Sequence, residues 1–217
     1  MSQILTLVGI STLQTLEMVL FSTLFSMVIG FPLGVLLYST NSMGITPRPI
    51  LNQVLSRIVN VLRSFPFIIL MILLFPLSRL ILGTSIGTTA TIIPLSIAAA
   101  PFVARLVETA LLEVDSGMIQ AARAMGSTNS QIIYKVLIPE SMPSLVSGIT
   151  LTIINLIGYS AMAGTIGGGG LGDLAIRYGY QRFRPDVMAA SVVVIIVMVE
   201  LIQFVGTRIA NRMLANR

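Results

Sequence analysis

Apolar residues in this chain gather into long runs, and five of the runs are long enough to cross a bilayer. A crossing helix needs about 20 apolar residues at a 1.5 Å rise to traverse a roughly 30 Å hydrocarbon core. The runs at about 14–38, 58–77, 88–107, 143–167 and 187–206 meet that length. Between the third and fourth, residues 115–139 break the pattern with charges, amides and a glycine. The pattern predicts an all-α integral membrane protein with five transmembrane helices and one polar insert. An N-terminal tail over 1–13, a membrane domain over 13–204 and a C-terminal tail over 205–217 complete the expected layout. Pro66 and Pro76 in the second span, and Pro94 and Pro101 in the third, each remove a backbone donor and invite kinks.

Composition agrees with the runs. Of 217 residues, 55% are hydrophobic and 10% charged, with a mean hydropathy of +0.95, well outside the range of a soluble domain. Histidine and cysteine are absent. That removes imidazole bases, thiolates, disulfides and Cys/His metal sites, so no catalytic, cofactor-binding or metal-binding residue is expected. The net charge of +5 comes mostly from arginines near the ends of apolar runs, which reads as an orientation signal and not as nucleic-acid binding. No basic residue precedes Arg48, so the start of the chain lacks the charged region of a signal peptide. Under alternation of five spans, Arg48 and Arg57, then Arg123 and Lys135, then Arg208, Arg212 and Arg217 share one side. The positive-inside rule makes that side cytoplasmic and the N-terminus external. Arg79, Arg177, Arg182 and Arg184 fall on the other side.

Charges within or near the ends of spans are functional candidates by default, because an ionised group there costs several kcal/mol unless paired or hydrated. Arg63, Arg105, Glu108 and Glu200 are in this position. Arg105 and Glu108 stand three apart on one helical face and are expected to pair; Glu200 reads as an interhelical or interfacial contact or as part of a solute path. Small residues recur at four-residue spacing, as Gly30 and Gly34 in the first span and Ser96, Ala100 and Ala104 in the third. Such faces allow close helix approach, within the chain or across a dimer.

Three motifs fail on inspection. Gly167, Gly169 and Gly172 satisfy G-x-G-x-x-G but follow a membrane span where a dinucleotide site needs a strand, so the run reads as a flexible outer turn. The only lysine, Lys135, lies outside any Gly-Lys-Ser/Thr phosphate loop. Ser160 in "GYSAM" lacks the second glycine of a nucleophile elbow and has no histidine to activate it. An intramembrane hydrolase is therefore disfavoured, and a passive channel would leave the polar insert without a purpose. For a solute path, the fourth span near Tyr159, Ser160 and Met162 is the candidate, where a break toward the glycine run could form a gate.

The insert carries the most information. Asp115 or Ser116 can cap a helix with Met118, Ala121, Ala122 and Met125 on one face, and Gly126 is placed to end it in a left-handed conformation. Asn129 or Ser130 can cap a second helix with Ile132, Ile133, Val136 and Leu137 apolar, which Pro139 is expected to stop. Such a pair could lie among lipid headgroups, anchored by Arg123 and Lys135. The small Ala-Ala face and fixed angle suit a protein groove better.

The order Ala121, Ala122, Gly126, then Val136, Ile138 and Pro139 after nine intervening residues resembles the "EAA" loop of permease subunits of bacterial ABC importers. Gln120 stands where the family usually has glutamate, a departure that removes a charge but leaves helix and hinge intact. "RSFPFIIL", "GTSIG", "IIPLSIAAAPFVARLVETALLEV" and "LIGYSAMAGTIGGGGLG" are similar to the methionine-importer permeases of that family, over nearly the whole chain. The resemblance implies a type I importer permease in the cell inner membrane, surrounded by lipid and working as a homodimer. It further implies a cytoplasmic dimer of ATPase subunits that hydrolyse the ATP, and a periplasmic methionine-binding lipoprotein. Transport of D- and L-methionine by alternating access is the implied function, with another amino acid or small solute as the alternative cargo. Gln120, Ala121, Ala122, Arg123, Met125, Gly126 and Pro139 are then the residues expected to couple to the ATPase.

Overall fold

The computed structural model describes residues 2–215; Arg217, one of the charges counted above, lies outside the described residues. The elements are helical throughout: α1 (Ser2–Thr40), α2 (Pro49–Ser64), α3 (Phe67–Leu82), α4 (Thr88–Leu112), α5 (Ser116–Ala124), α6 (Asn129–Ile132), α7 (Ile138–Gly164), α8 (Gly170–Leu174) and α9 (Pro185–Ala215). Two π-helical segments, Ile133–Leu137 and Ala175–Tyr180, join α6 to α7 and continue α8. Four continuous helical runs are long and apolar enough to span a membrane, and the bent pair α2–α3 makes a fifth if it is one span.

Two expectations change here. Residues 2–13 belong to α1 and are not a separate tail. Ile4, Leu5, Leu7, Val8 and Ile10 extend the apolar run, and no proline precedes Pro32 to interrupt it. The second span is also not one helix over 58–77. It bends by 102° between α2 and α3, where Phe65 and Pro66 are extended at φ −68°, ψ 131° and φ −59°, ψ 126°. A proline disfavours the helical region for the residue before it, and here Phe65 takes the extended alternative. The change in composition also falls there: α2 mixes polar with apolar residues, whereas α3 is apolar almost all round. Pro76, Pro94 and Pro101 sit inside helices that continue through them.

α4 is the centre of the fold. In its most apolar stretch 67% of the residues are buried, against 17% in α9. Its small stripe meshes with that of α1, so the two four-residue repeats read from the sequence are the halves of one intrachain seam. A Cβ at Gly30 would stand 2.6 Å from the Ala100 carbonyl oxygen, and one at Gly34 would stand 2.6 Å from both the Ala104 carbonyl oxygen and the Val107 Cβ. A second seam joins α7 and α9, where Gly206 abuts Thr150. One buried cluster, including Tyr38, Val107, Leu111, Ile132 and Leu137, fixes the insert to the ends of α1 and α4. Another, with Met18, Leu95, Ala99, Leu156 and Ile157, fills the middle of the bundle.

The pairing expected of Arg105 and Glu108 is present at 2.6 Å, with Glu108 almost wholly buried. The second guanidinium nitrogen of Arg105 donates to the Ser56 carbonyl at 3.2 Å and to Asn60 Oδ1 at 3.1 Å, tying α4 to α2. Gly34→Val should cost about 1–3 kcal/mol by overpacking the α1–α4 seam. Thermal unfolding of the detergent-solubilised protein measures it, with Gly9→Ala, around which there is open space, as the control that stays near wild type.

Candidate functional site

The insert is built from local hydrogen bonds that its sequence encodes. Asp115 Oδ1 accepts from the Gly117 N–H at 2.6 Å and starts α5. At the other end, Gly126 lies at φ +81°. Its N–H donates to Arg123 O at 2.9 Å and the Ser127 N–H to Ala122 O at 3.1 Å, the paired bonds of a Schellman closure. The next cap is Thr128 and not Asn129 or Ser130. Its Oγ1 accepts from the Gln131 N–H at 3.3 Å, while Gln131 Oε1 accepts from the Thr128 N–H at 2.8 Å. This is a capping box, and the T-x-x-Q spacing was available to find it.

Pro139 does not stop the second helix. Helix continues from Asn129 through the π-helical segment into α7 and on to Gly164. A proline ring clashes with the carbonyl four residues back, here that of Lys135. The wider π turn relieves this: the Ile138 N–H reaches Ile133 O, five residues back. The second half of the insert and the fourth span are thus one continuous helical run, Asn129–Gly164.

The expected coupling residues divide by position. Ala122 is buried and joins the core beside Ile132 and Leu137. Gln120, Ala121 and Met125 are exposed, Met125 to 79%. Arg123 donates from Nη2 to the Ile45 carbonyl at 2.9 Å, fastening the insert to the segment after α1.

The candidate path residues separate too. Tyr159 stacks on Phe67 with ring centroids 4.4 Å apart and planes within 5°. Both border a cavity of about 230 Å³ that Arg63, Phe65 and Phe102 complete, at the bend between α2 and α3. Met162 is exposed on α7, whereas Ser160 is buried and donates from Oγ to the Ile157 carbonyl at 2.7 Å. The sequence reading did not connect Phe67, Phe102 and Arg63 with Tyr159; Pro66, which turns α3 across the bundle, was the available signal.

The glycine run is a tied turn. Gly170 N–H donates to Gln14 Oε1 at 3.0 Å and Leu171 N–H to Thr15 Oγ1 at 2.9 Å, so side chains of α1 cover the first amides of α8. Gly164 and Gly172 let α8 press against the end of α7. A helix, not a strand, precedes the run, so the dinucleotide reading fails.

A bundle of apolar helices with a capped, hinged polar insert between two of its spans defines a membrane transport subunit. The chain belongs to the family of binding-protein-dependent transport system inner membrane components, whose model matches residues 30–215. It is 50% identical over 202 residues to the probable D-methionine transport system permease protein MetI of Vibrio cholerae, covering 93% of this chain and 90% of that protein. It is 49% identical over 176 residues to the methionine import system permease protein MetP of Bacillus subtilis, covering 81% and 79%. An inward-facing structure of the MetNI methionine ABC transporter, in its native crystal form, matches with a TM-score of 0.96 at 47% identity over 98% of this chain and 99% of that one. An amino acid ABC transporter solved with histidines shares the fold, with a TM-score of 0.78 at 21% identity.

Thr128→Ala should destabilise the start of α6 by about 1 kcal/mol, the usual cost of losing a cap. Hydrogen exchange would register it as faster amide exchange over 129–133, with α1 and α4 unchanged; equal rates would mean the capping box contributes nothing.

Proposed function

We propose that this chain is the membrane-spanning subunit of an ATP-driven importer of methionine, in both D and L forms, working as a homodimer. Two ATPase subunits dock on the insert from the cytoplasm, and a periplasmic binding lipoprotein delivers the substrate. The observation that carries the reading is identity near 50% to permeases named for methionine, running through insert and spans alike.

Geometry supports the orientation. Arg123 reaches the carbonyl of Ile45, three residues before Arg48. Ala210 and Asn211, between Arg208 and Arg212, border a groove with Glu113 and Ser144 near the insert. Arg48, Arg123, Arg208 and Arg212 thus lie toward one end of the bundle. At the other end, Arg177 pairs with Asp173 and Arg184 with Asp186, while Arg182 lies over the Tyr178 ring.

The mechanism follows from the continuous rod. Closure of the ATPases moves the exposed face of α5, with Gln120, Ala121 and Met125; Gly126 fixes its angle to α6, and the run through Pro139 into α7 carries the motion to Tyr159 and Met162. The chain contributes two packings of similar stability, and ATP binding and hydrolysis elsewhere bias them.

At φ +81° a β-branched residue costs about 1–2 kcal/mol and displaces the joint. Gly126→Ile should therefore leave ATPase activity in the reconstituted complex while uptake of labelled methionine collapses. Normal uptake by that variant would sink the coupling mechanism, and competition by other amino acids against wild-type uptake tests the cargo.

A further inference from the structure

The structure contains two arginines on the facing sides of α2 and α4, and they are treated differently. Arg105 is neutralised by Glu108 and held by Ser56 and Asn60. Arg63, about two helical turns further along α2 than Ser56, makes no hydrogen bond or ion pair with any described residue. Its guanidinium carbon lies 5.9 Å from the centroid of the Phe102 ring. It borders the cavity of about 230 Å³ at the α2–α3 bend. That volume lies below the roughly 300–1,000 Å³ of sites for drug-sized ligands and suits a single amino acid. The other walls are aromatic and aliphatic, and no acidic side chain lines the cavity. A guanidinium stays charged at any accessible pH, and Arg63, exposed and with no acidic side chain in the cavity wall, is open to an arriving anion.

We propose that Arg63 is a substrate-binding residue of the translocation path, its guanidinium receiving the carboxylate of an α-amino acid whose unbranched apolar side chain lies against the stacked Phe67 and Tyr159 rings. This rests on the importer reading above. The fork of a guanidinium matches a carboxylate in two parallel hydrogen bonds, and a thioether makes favourable contacts with aromatic rings. The site holds its ligand at two places only. With no carboxylate in the walls to fix the ammonium group, both enantiomers can keep carboxylate and side chain in place while exchanging the α-hydrogen and ammonium positions. A site of this kind passes D- and L-amino acids alike.

The test uses the full complex with ATPase and binding protein in proteoliposomes. Arg63→Gln should reduce import of D- and L-methionine by the same factor, about 10- to 100-fold for a lost charge-assisted contact, while basal ATPase activity and assembly persist. The chain has no cysteine, so Arg63→Cys offers a direct charge test. An aminoethyl methanethiosulfonate reagent restores a cation and should recover import, a sulfonatoethyl reagent should not, and treated wild type controls for the partners. Import by Arg63→Gln at the wild-type rate, or equal recovery with both reagents, overturns the assignment. Should the neutral variants fail to assemble, Arg63→Lys decides: fewer methionines imported per ATP supports the site, and an unchanged ratio overturns it. Wild type that imports no methionine would bring down the importer reading itself, an outcome distinct from wild type and Arg63→Gln importing equally.

Discussion

In hydrocarbon, a backbone amide or carbonyl without a partner costs several kcal/mol, and no water is present to supply one. This constraint decides where the chain can bend. At the α2–α3 break the interrupting residue is Pro66, which has no N–H to orphan, and its carbonyl accepts from the Leu70 N–H at 3.0 Å. At the turn before α8, the Gly87 N–H donates to Gly167 O at 3.0 Å, and Gln14 and Thr15 cover the next amides. The π segments solve the same problem differently, shifting the helical register while keeping each amide bonded. The breaks at Pro66 and before α8 are thus each matched by a named donor or acceptor.

The same requirement separates frame from moving part. Gly30 and Gly34 bring the α1 backbone against that of α4 so closely that neither helix can slide without collision, and α4 is further held to α2 through Arg105. By contrast, α7 begins at the insert, where Ile138 packs on the cluster of Tyr38, Val107 and Leu111, and ends under α8. Its seam with α9, at Gly206 and Thr150, joins it to the span with the least buried surface. A rotation of α7 with α9 against α1 and α4 disturbs fewer tight contacts than any movement within the α1–α4 pair.

What could be read from sequence was whatever depends on one segment. The apolar runs themselves, the left-handed Gly126, the Asp115 cap and the Arg105–Glu108 pair follow from neighbours in the chain. So did the two small-residue stripes, although only their three-dimensional register shows that they are one seam. Pro139 misled because its usual effect, ending a helix, assumes an α-helical turn before it; the π turn at Ile133–Leu137 removes the clash and leaves no composition signal of its own. The bend at Pro66 was one of four equivalent proline signals, and which proline breaks depends on the change from a mixed to an apolar helix at that point. The cavity was the least legible feature, since Arg63, Phe67, Phe102 and Tyr159 come from four helices with no shared spacing.

The correction at Pro139 has the largest consequence for mechanism. If the helix had stopped there, a push on the insert would reach the fourth span through a loop, which transmits displacement poorly. As a continuous run, Ile138 to Tyr159 extends about 30 Å at 1.5 Å per residue, so under the proposed mechanism unbroken helix and not a loop lies between the insert and the aromatic stack. Tyr159 and Met162 stand about 60° apart around such a helix, with Tyr159 at the cavity and Met162 outside it. In the proposed mechanism a rotation of α7 about its own axis by a comparable angle would exchange which of the two faces the cavity, without a chain of separate contacts between the two sites.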